Sequence, residues 1–316
     1  MRLMQRALTL KTYIKLILGI IHPVLIILLP LYRRKFSKVE TTHRPIFIVG
    51  APRTGSTILY QVLTNNNELL YIDNLASLFH RTMPFGIWLS QVLFRNKQHN
   101  SFSSKYGNTS SFHAPSESQA FWFRWFPKDR DFVEVSDIDP VKIDNMKKTV
   151  SSMMSHHGKD IIFKNLACGQ RIRVLFHVFP NAKFIFLRRD PRYTAQSLLL
   201  ARRNLNIQDS AWWSVKPKLY RKYNSYSIHR KLAQQIWSVE KQISEDIREI
   251  PETNKLEIRY EELPARLYEI QDFLNLEFGL DFDVDDLKIT NRLNVSETDW
   301  EALETAYKEV ILREGN

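Results

Sequence analysis

Short apolar runs alternate with longer amphipathic stretches over most of the chain. Three runs, 46–49, 161–163 and 184–187, are β-branched or aromatic and are bounded by proline, glycine or charged residues, which is typical of buried strands. A fourth run, 255–259, alternates charged with apolar residues. Because helical patterns lie between these runs, the order predicts parallel βαβ units, and so an α/β protein with a parallel β-sheet flanked by helices.

The predicted helices have apolar positions that recur every three or four residues. They cover 56–63, 77–95, 139–156, 170–179, 193–203, 229–249, 262–274 and 299–313. Ser116 is a candidate N-cap of a further, aromatic helix, and the polar, serine-rich stretch 96–115 predicts a loop.

Residues 14–32 are almost uniformly apolar and are close in number to a bilayer span. Pro23 and Pro30 interrupt the run and predict a bend. Both flanks are basic, through Arg2, Arg6, Lys11 and Lys15 before it and Arg33, Arg34, Lys35 and Lys38 after it. We therefore predict an N-terminal membrane-anchor segment, 1–38. The segment is either a transmembrane helix, with the following domain in the cytoplasm or across the membrane, or an anchor bent at Pro23 that lies in the membrane interface. The symmetric basic flanks favour the interfacial anchor. A buried core helix is the alternative.

Charge is concentrated at the same end of the chain. The 316 residues carry a net charge of +11, but residues 1–45 hold nine Lys or Arg and one acidic residue, which leaves only +3 for the rest. This distribution argues against nucleic acid as a partner. With 44% hydrophobic residues, the remaining chain can form one large domain, 39–316.

The number and spacing of cysteine and histidine residues predict no metal site. Cys168 is the single cysteine, so the chain has no internal disulfide, as suits a reducing compartment. His156 and His157 have no cysteine or carboxylate at ligand spacing. We expect no bound metal.

The first strand runs directly into a glycine turn and a helix. Gly50 and Gly55 have Walker-loop spacing, but Ser56 stands where that motif has lysine. Strand, tight turn and helix aim backbone N–H groups at an anion, and Arg53 adds a cation inside the turn. The segment predicts a phosphate cradle without the lysine that grips a triphosphate.

Pro52-Arg53-Thr54-Gly55-Ser56-Thr57 resembles the phosphosulfate-binding loop of sulfotransferases. The resemblance implies a P-loop NTPase-like sulfotransferase fold, with 3′-phosphoadenosine 5′-phosphosulfate (PAPS) as the donor co-substrate and no metal. It also implies that the 5′-phosphosulfate is bound by Arg53, Thr54, Gly55, Ser56 and Thr57.

Arg189 and Ser197 place a guanidinium and a hydroxyl at the junction of the third strand and the next helix, which predicts a second anion site. Sulfotransferases have an arginine and a serine at this spacing around the 3′-phosphate of PAPS, so the resemblance implies that role here. The later stretch 257–263 also resembles the family, where a strand and turn lie near the nucleotide.

Lys164 ends the second strand, where an ammonium can neutralise the bridging oxygen as sulfate departs. The catalytic histidine of cytosolic sulfotransferases is absent, since Leu166 stands in its place. A base is still needed for a hydroxyl acceptor. Glu117 is the first candidate because it resembles an acidic position of bacterial members; Asp73 is the second and His113 the third.

Together these features predict a sulfotransferase that moves a sulfuryl group from PAPS to a hydroxyl or amine of a lipid, glycan or small molecule. A P-loop kinase is the rival enzyme, although Ser56 argues against it. A non-catalytic, membrane-anchored nucleotide-binding protein is the alternative from another class.

The expected location is a membrane surface with the catalytic domain facing the cytoplasm, where PAPS is made. Two N-glycosylation sequons, at 108–110 and 294–296, keep a Golgi-lumen location open as the alternative.

Overall fold

The computed structural model describes residues 2–36, 42–65, 68–95, 97–276 and 291–314. Its strands form one sheet: β1 (Pro45–Val49), β2 (Leu70–Tyr71), β3 (Ile161–Lys164), β4 (Lys183–Arg188) and β5 (Lys255–Arg259). All pairings are parallel, in the order β2-β3-β1-β4-β5. The predicted parallel sheet is confirmed, and β1 lies at its centre between β3 and β4.

Helices cover both faces of this sheet. They are α1 (Arg2–Phe36), α2 (Ser56–Thr64), α3 (Asn74–Leu78), α4 (Met83–Phe94), α5 (Gln119–Trp122), α6 (Pro140–His157), α7 (Ile172–Val178), α8 (Pro191–Asn204), α9 (Ile228–Arg248), α10 (Leu267–Leu274) and α11 (Glu297–Glu314). The single helix predicted over 77–95 is instead α3, a 3₁₀ turn (His80–Thr82) and α4, because Pro84 lies in the first turn of a new helix. The aromatic helix α5 begins after Ser118 rather than Ser116.

The sheet is buried on both faces, which explains the continuous apolar runs. On one face Phe47 stacks between Phe163 and Phe184, with ring centroids 5.5 and 5.4 Å away. On the other face Ile46 and Ile48 pack in a second cluster with α2 and α10. This double burial fixes the register of β1 and therefore the position of the loop that follows it.

α1 corrects the predicted N-terminal membrane segment. The helix continues through Pro23 and Pro30, so neither proline ends it. It packs against α6, where the Tyr32 hydroxyl lies 2.7 Å from His156 Nδ1. Within the part of the chain that the structure describes, no helix is both long and apolar enough to cross a membrane. The predicted transmembrane helix is therefore not supported. Residues 37–41, at the proposed domain boundary, lie outside the described residues.

Candidate active site

Two residues of the loop between β1 and α2 have left-handed backbones. Arg53 has φ 71° and Gly55 has φ 89°. The buried Thr54 hydroxyl donates to the Ala51 carbonyl at 3.0 Å and closes the turn beneath them. A side chain at Gly55 would overlap the ring of Tyr260. Glycine is therefore required at position 55 for two reasons: the left-handed turn, and the close approach of Tyr260, which directly follows β5.

Arg53 and Ser197, predicted for two separate anion sites, are in direct contact. Arg53 Nε donates to Ser197 Oγ at 3.0 Å, and Arg189 donates to the Arg53 carbonyl at 3.2 Å. Burial first, and then the charge of Arg189, lowers the pKa of Arg53. Two guanidinium groups this close repel one another, so an anion between them would be stabilised by both.

Arg189 is positioned by groups from the far end of the chain. Its guanidinium lies 4.7 Å from the centre of the Tyr260 ring. Asn291 Oδ1 accepts from two of its nitrogens, at 3.0 and 3.2 Å, and Asn291 Nδ2 donates to Glu261 at 3.1 Å. Asn291 has no local sequence signal, because it is about a hundred residues from the arginine that it orients.

Lys164 and Glu117 form an ion pair on the opposite side of the loop. Lys164 is buried, and its ammonium also donates to Thr57 Oγ1 at 3.0 Å. Glu117 keeps 31% of its side chain exposed. The predicted leaving-group cation and the first candidate base therefore share one face of the site, and only the carboxylate reaches solvent.

Asn165 and Gly107 border this ion pair. Asn165 Nδ2 donates to the Glu117 carbonyl at 3.1 Å and to Gln119 Oε1 at 2.6 Å. Gly107, at φ 89°, lies over the pair, and a Cβ there would be 3.1 Å from Glu117 Oε1. A glycine inside a polar loop was the available signal for such a close approach.

These groups open onto one cleft of about 590 Å³. From the predicted set, its walls include Arg53, Gly55, Ser56, Thr57, Glu117, Lys164 and Arg189. Further wall residues are Tyr106, Asn108, Asp131, Trp213 and Tyr260. Four non-glycine residues of the cleft wall have positive φ, namely Arg53, Tyr106, Ser118 and Ser214. Such conformations cost energy and concentrate at functional sites.

Asp73 and His113, the second and third candidate bases, lie away from this cleft. Asp73 is 1% exposed; it accepts from the Ala76 N–H at 2.7 Å and from the Ser90 hydroxyl. His113 Nδ1 is 3.3 Å from the same carboxylate. This carboxylate caps α3 and fastens it to α4. Of the three candidates, only Glu117 lines the cleft.

The match to known proteins covers most of the chain. The model of the sulfotransferase family matches residues 45–279, about three-quarters of its length. The chain belongs to the sulfotransferase family. The chain is 26% identical over 179 residues to omega-hydroxy-beta-dihydromenaquinone-9 sulfotransferase Stf3 of Mycobacterium bovis and of Mycobacterium tuberculosis. That match takes in 51% of the chain and 45% of each relative, so the chain aligns with less than half of their length.

A solved structure resembles this chain over more of its length. The crystal structure of sulfotransferase STF9 from Mycobacterium avium superposes with a TM-score of 0.54 and 16% identity. The superposition covers 90% of this chain and 80% of that one. At this identity the likeness shows the fold. Among the described residues, no group of three or more His, Cys, Asp or Glu side chains is placed to hold a metal ion.

Proposed function

We propose that this sulfotransferase transfers the sulfuryl group of PAPS to a hydroxyl of its acceptor. The acceptor oxygen attacks the sulfur, and the bond from sulfur to the bridging oxygen of the donor breaks. The acceptor proton passes to Glu117, and adenosine 3′,5′-bisphosphate leaves. Lys164, beside Glu117, stabilises the charge that develops on the bridging oxygen.

The observation that carries this proposal is the convergence of cations at three adjacent strand ends. Arg53 follows β1, Arg189 follows β4 and Lys164 ends β3, and all three line one cleft. Ligands of open parallel sheets bind at this edge. Arg189 and Ser197 are proposed to hold the 3′-phosphate. The loop with Thr54, Ser56 and Thr57 is proposed to hold the 5′-phosphosulfate. Arg53, in contact with Ser197, can reach both.

Isothermal titration with adenosine 3′,5′-bisphosphate and with ATP tests the donor. Two anion sites favour the bisphosphate, so we expect it to bind at least tenfold more tightly than ATP, and without Mg²⁺. Arg53→Ala should weaken binding of the bisphosphate by about 1.5–3 kcal/mol, which is the value of a hydrogen bond to a charged group. Arg248→Ala, an exposed cation on α9, should leave it unchanged.

Equal affinity for the two nucleotides, or a requirement for Mg²⁺, would favour the kinase alternative. Tight binding of the bisphosphate with no sulfation of any acceptor would favour the nucleotide-binding scaffold.

For the acceptor, we propose an amphiphile with a terminal hydroxyl. The support is the name of the two mycobacterial relatives, which act on an omega-hydroxy menaquinone. Labelled sulfate from PAPS should appear in a lipid extract incubated with the enzyme, and mass spectrometry identifies the product. Label that enters only glycans or small polar alcohols would contradict this choice.

For the location, we propose that the cleft faces the cytoplasm. Asn108, in one of the two sequons, lines the cleft, where an attached glycan would obstruct the site. Protease digestion of sealed vesicles tests this proposal. Cleavage of the domain from the cytoplasmic face is expected, whereas protection would favour the Golgi-lumen alternative.

A further inference from the structure

The outer face of α1 exposes an apolar stripe. Ile20, Val24, Ile27 and Leu31 recur at helical spacing, and each is at least 57% exposed. The inner face of the same helix packs on α6 and on the 3₁₀ turn His80–Thr82. An apolar stripe of this length is unusual on a protein surface that meets only water.

A groove joins this stripe to α4. It has a volume of about 300 Å³, and its walls are Leu25, Leu28, Leu29, Tyr32, Thr82, Pro84, Phe85, Trp88 and His156. The Thr82 hydroxyl is buried and has no hydrogen-bond partner among the described residues. Trp88 in the groove wall and Val92 continue the exposed apolar surface along α4. The groove is lined mainly by apolar side chains, with polar atoms from Tyr32, Thr82 and His156 at its wall.

A cluster of cations adjoins the groove at the 3₁₀ turn that contains Thr82. Arg33 Nε, Arg124 Nη1 and His22 Nε2 are buried without a hydrogen-bond partner among the described residues. Burial, followed by the charge of Arg33, lowers the pKa of Arg124 to about 10. The rings of His22 and His80 lie 6.2 Å apart. Burial lowers the pKa of His80, and His22, Arg81 and Arg124 lower it further.

α1 brings no acidic residue to this cluster. Residues 1–36 contain seven Lys or Arg and no Asp or Glu. Over the described residues, Arg33, Arg81 and Arg124 form no ion pair. Arg33 and Arg124 are half-buried, and Arg81 is exposed. Cations that are partly withdrawn from water without a counter-charge are costly, so an anion is the ligand that would relieve the repulsion among them.

We propose that α1, the 3₁₀ turn and α4 form a site for an anionic phospholipid at a bilayer surface. The lipid phosphate binds the cations of Arg33, Arg81 and Arg124, an acyl chain enters the groove, and the stripe of α1 lies in the interface. Charge complementarity and the apolar groove beside the cations select this occupant. A nucleic acid or an acidic peptide would match the cations but would leave the stripe exposed. None of these residues lines the catalytic cleft, so the proposal is independent of the donor and the base.

Flotation of the full chain with vesicles tests the site. We expect it to float with vesicles that contain phosphatidylglycerol and to bind vesicles of phosphatidylcholine alone far more weakly. Arg33→Gln with Arg124→Gln should weaken binding to the anionic vesicles about thirtyfold, as expected for the loss of two cations near an anionic membrane. The control Arg248→Gln should bind as the unchanged chain does.

A second variant separates the apolar contact from the charge. Ile27→Asn should weaken binding to anionic vesicles, whereas all variants should keep the bisphosphate affinity of the unchanged chain, which shows that they are folded. Equal binding to both vesicle types would overturn the phosphate site. If inorganic phosphate displaces the chain from anionic vesicles, and the chain binds phosphate as tightly as it binds the vesicles, the site would be one for a free anion instead. Absence of vesicle binding, with self-association that Ile27→Asn abolishes, would identify the stripe as an interface between copies of the chain.

Discussion

Gly55 and Gly158 have left-handed backbones but different surroundings. A Cβ at Gly55 would overlap the Tyr260 ring, whereas a Cβ at Gly158 would have no atom within 4 Å. That ring also contacts the Arg189 guanidinium. Tyr260 therefore connects the loop at Gly55 to Arg189.

Gly55→Ala should therefore weaken adenosine 3′,5′-bisphosphate binding about tenfold or more, through displacement of Tyr260 and loss of a charged hydrogen bond at Arg189. Gly158→Ala is the matched control. It introduces similar backbone strain, about 1–2 kcal/mol, and should lower only the melting temperature. Calorimetric titration and thermal unfolding of both variants measure the two effects. Similar affinity in the two variants would contradict the proposed link.

Glu117 is the second residue-scale test. Glu117→Gln keeps the shape of the side chain but removes the base, so turnover should fall about a hundredfold or more. Bisphosphate affinity should be nearly unchanged, because no donor contact is proposed for this carboxylate. Glu309→Gln, exposed on α11, is the control. Full activity of Glu117→Gln together with loss of activity in Asp73→Asn would transfer the role of base to Asp73.

At the scale of elements, the loop 97–116 depends on a neutral histidine. His99 Nδ1 accepts from the Ser101 N–H at 2.9 Å, and His99 Nε2 is 3.1 Å from the Gln61 carbonyl. Only the tautomer with a proton on Nε2 alone satisfies both. Burial, with a smaller effect of His113, lowers the pKa of His99 to about 4.

This histidine predicts a loop that loosens in acid. The pKa of His99 in the folded chain lies below the unfolded value of about 6.5. Between these two pH values the unfolded chain therefore binds more protons than the folded chain. The stabilisation is complete above pH 6.5 and is lost as the pH falls towards 4. Amide exchange around Ser101, corrected for intrinsic rates, should show less protection at pH 5 than at pH 7. His99→Asn keeps an acceptor that does not titrate and should remove this difference; an unchanged difference would exclude His99 as its source.

The elements also show what the sequence could predict. β1, β3, β4 and β5 follow from short apolar or alternating runs, and the loop at Arg53 follows from glycine spacing, because these are local signals. The two-residue strand β2 (Leu70–Tyr71) was not predicted, since a strand this short has too little pattern. The continuity of α1 through Pro23 and Pro30 could not be predicted in this way, since packing on α6 overrides the local preference of proline. Likewise, the contact between Arg53 and Ser197 joins elements 144 residues apart, and the order of strands in the sheet, rather than any spacing, produces it.

At the scale of the whole molecule, α11 connects the end of the chain to the cleft. It packs against α9 and α8 and buries Leu303. Asp299 accepts from Arg203 at 2.7 and 2.8 Å and lies 2.9 Å from His229 Nε2. Hydrogen bonds from Arg203, and then from His229, hold the pKa of this carboxyl well below its usual range. The segment that contains Asn291 leads directly into α11.

Asp299→Asn should consequently affect both stability and the distant site. We expect a loss of about 1 kcal/mol of unfolding free energy, a low value for charged hydrogen bonds because Arg203 is half exposed. Bisphosphate affinity should also fall severalfold, since Asn291 would orient Arg189 less firmly. Glu297→Gln, in the first turn of the same helix, controls for charge. Lower stability with unchanged affinity would show that α11 does not act on the cleft.

The pairing of Lys164 with Glu117 implies a kinetic order for the two substrates. The Glu117 carboxylate is engaged by the Lys164 ammonium. In the proposed roles, it becomes free to accept the proton of the acceptor hydroxyl only when Lys164 turns towards the bridging oxygen of PAPS. Productive turnover then requires PAPS first and the acceptor second. Adenosine 3′,5′-bisphosphate should inhibit competitively against PAPS and noncompetitively against the acceptor. An acceptor that binds before PAPS should remain unreacted, because the Glu117 carboxylate is still paired with Lys164.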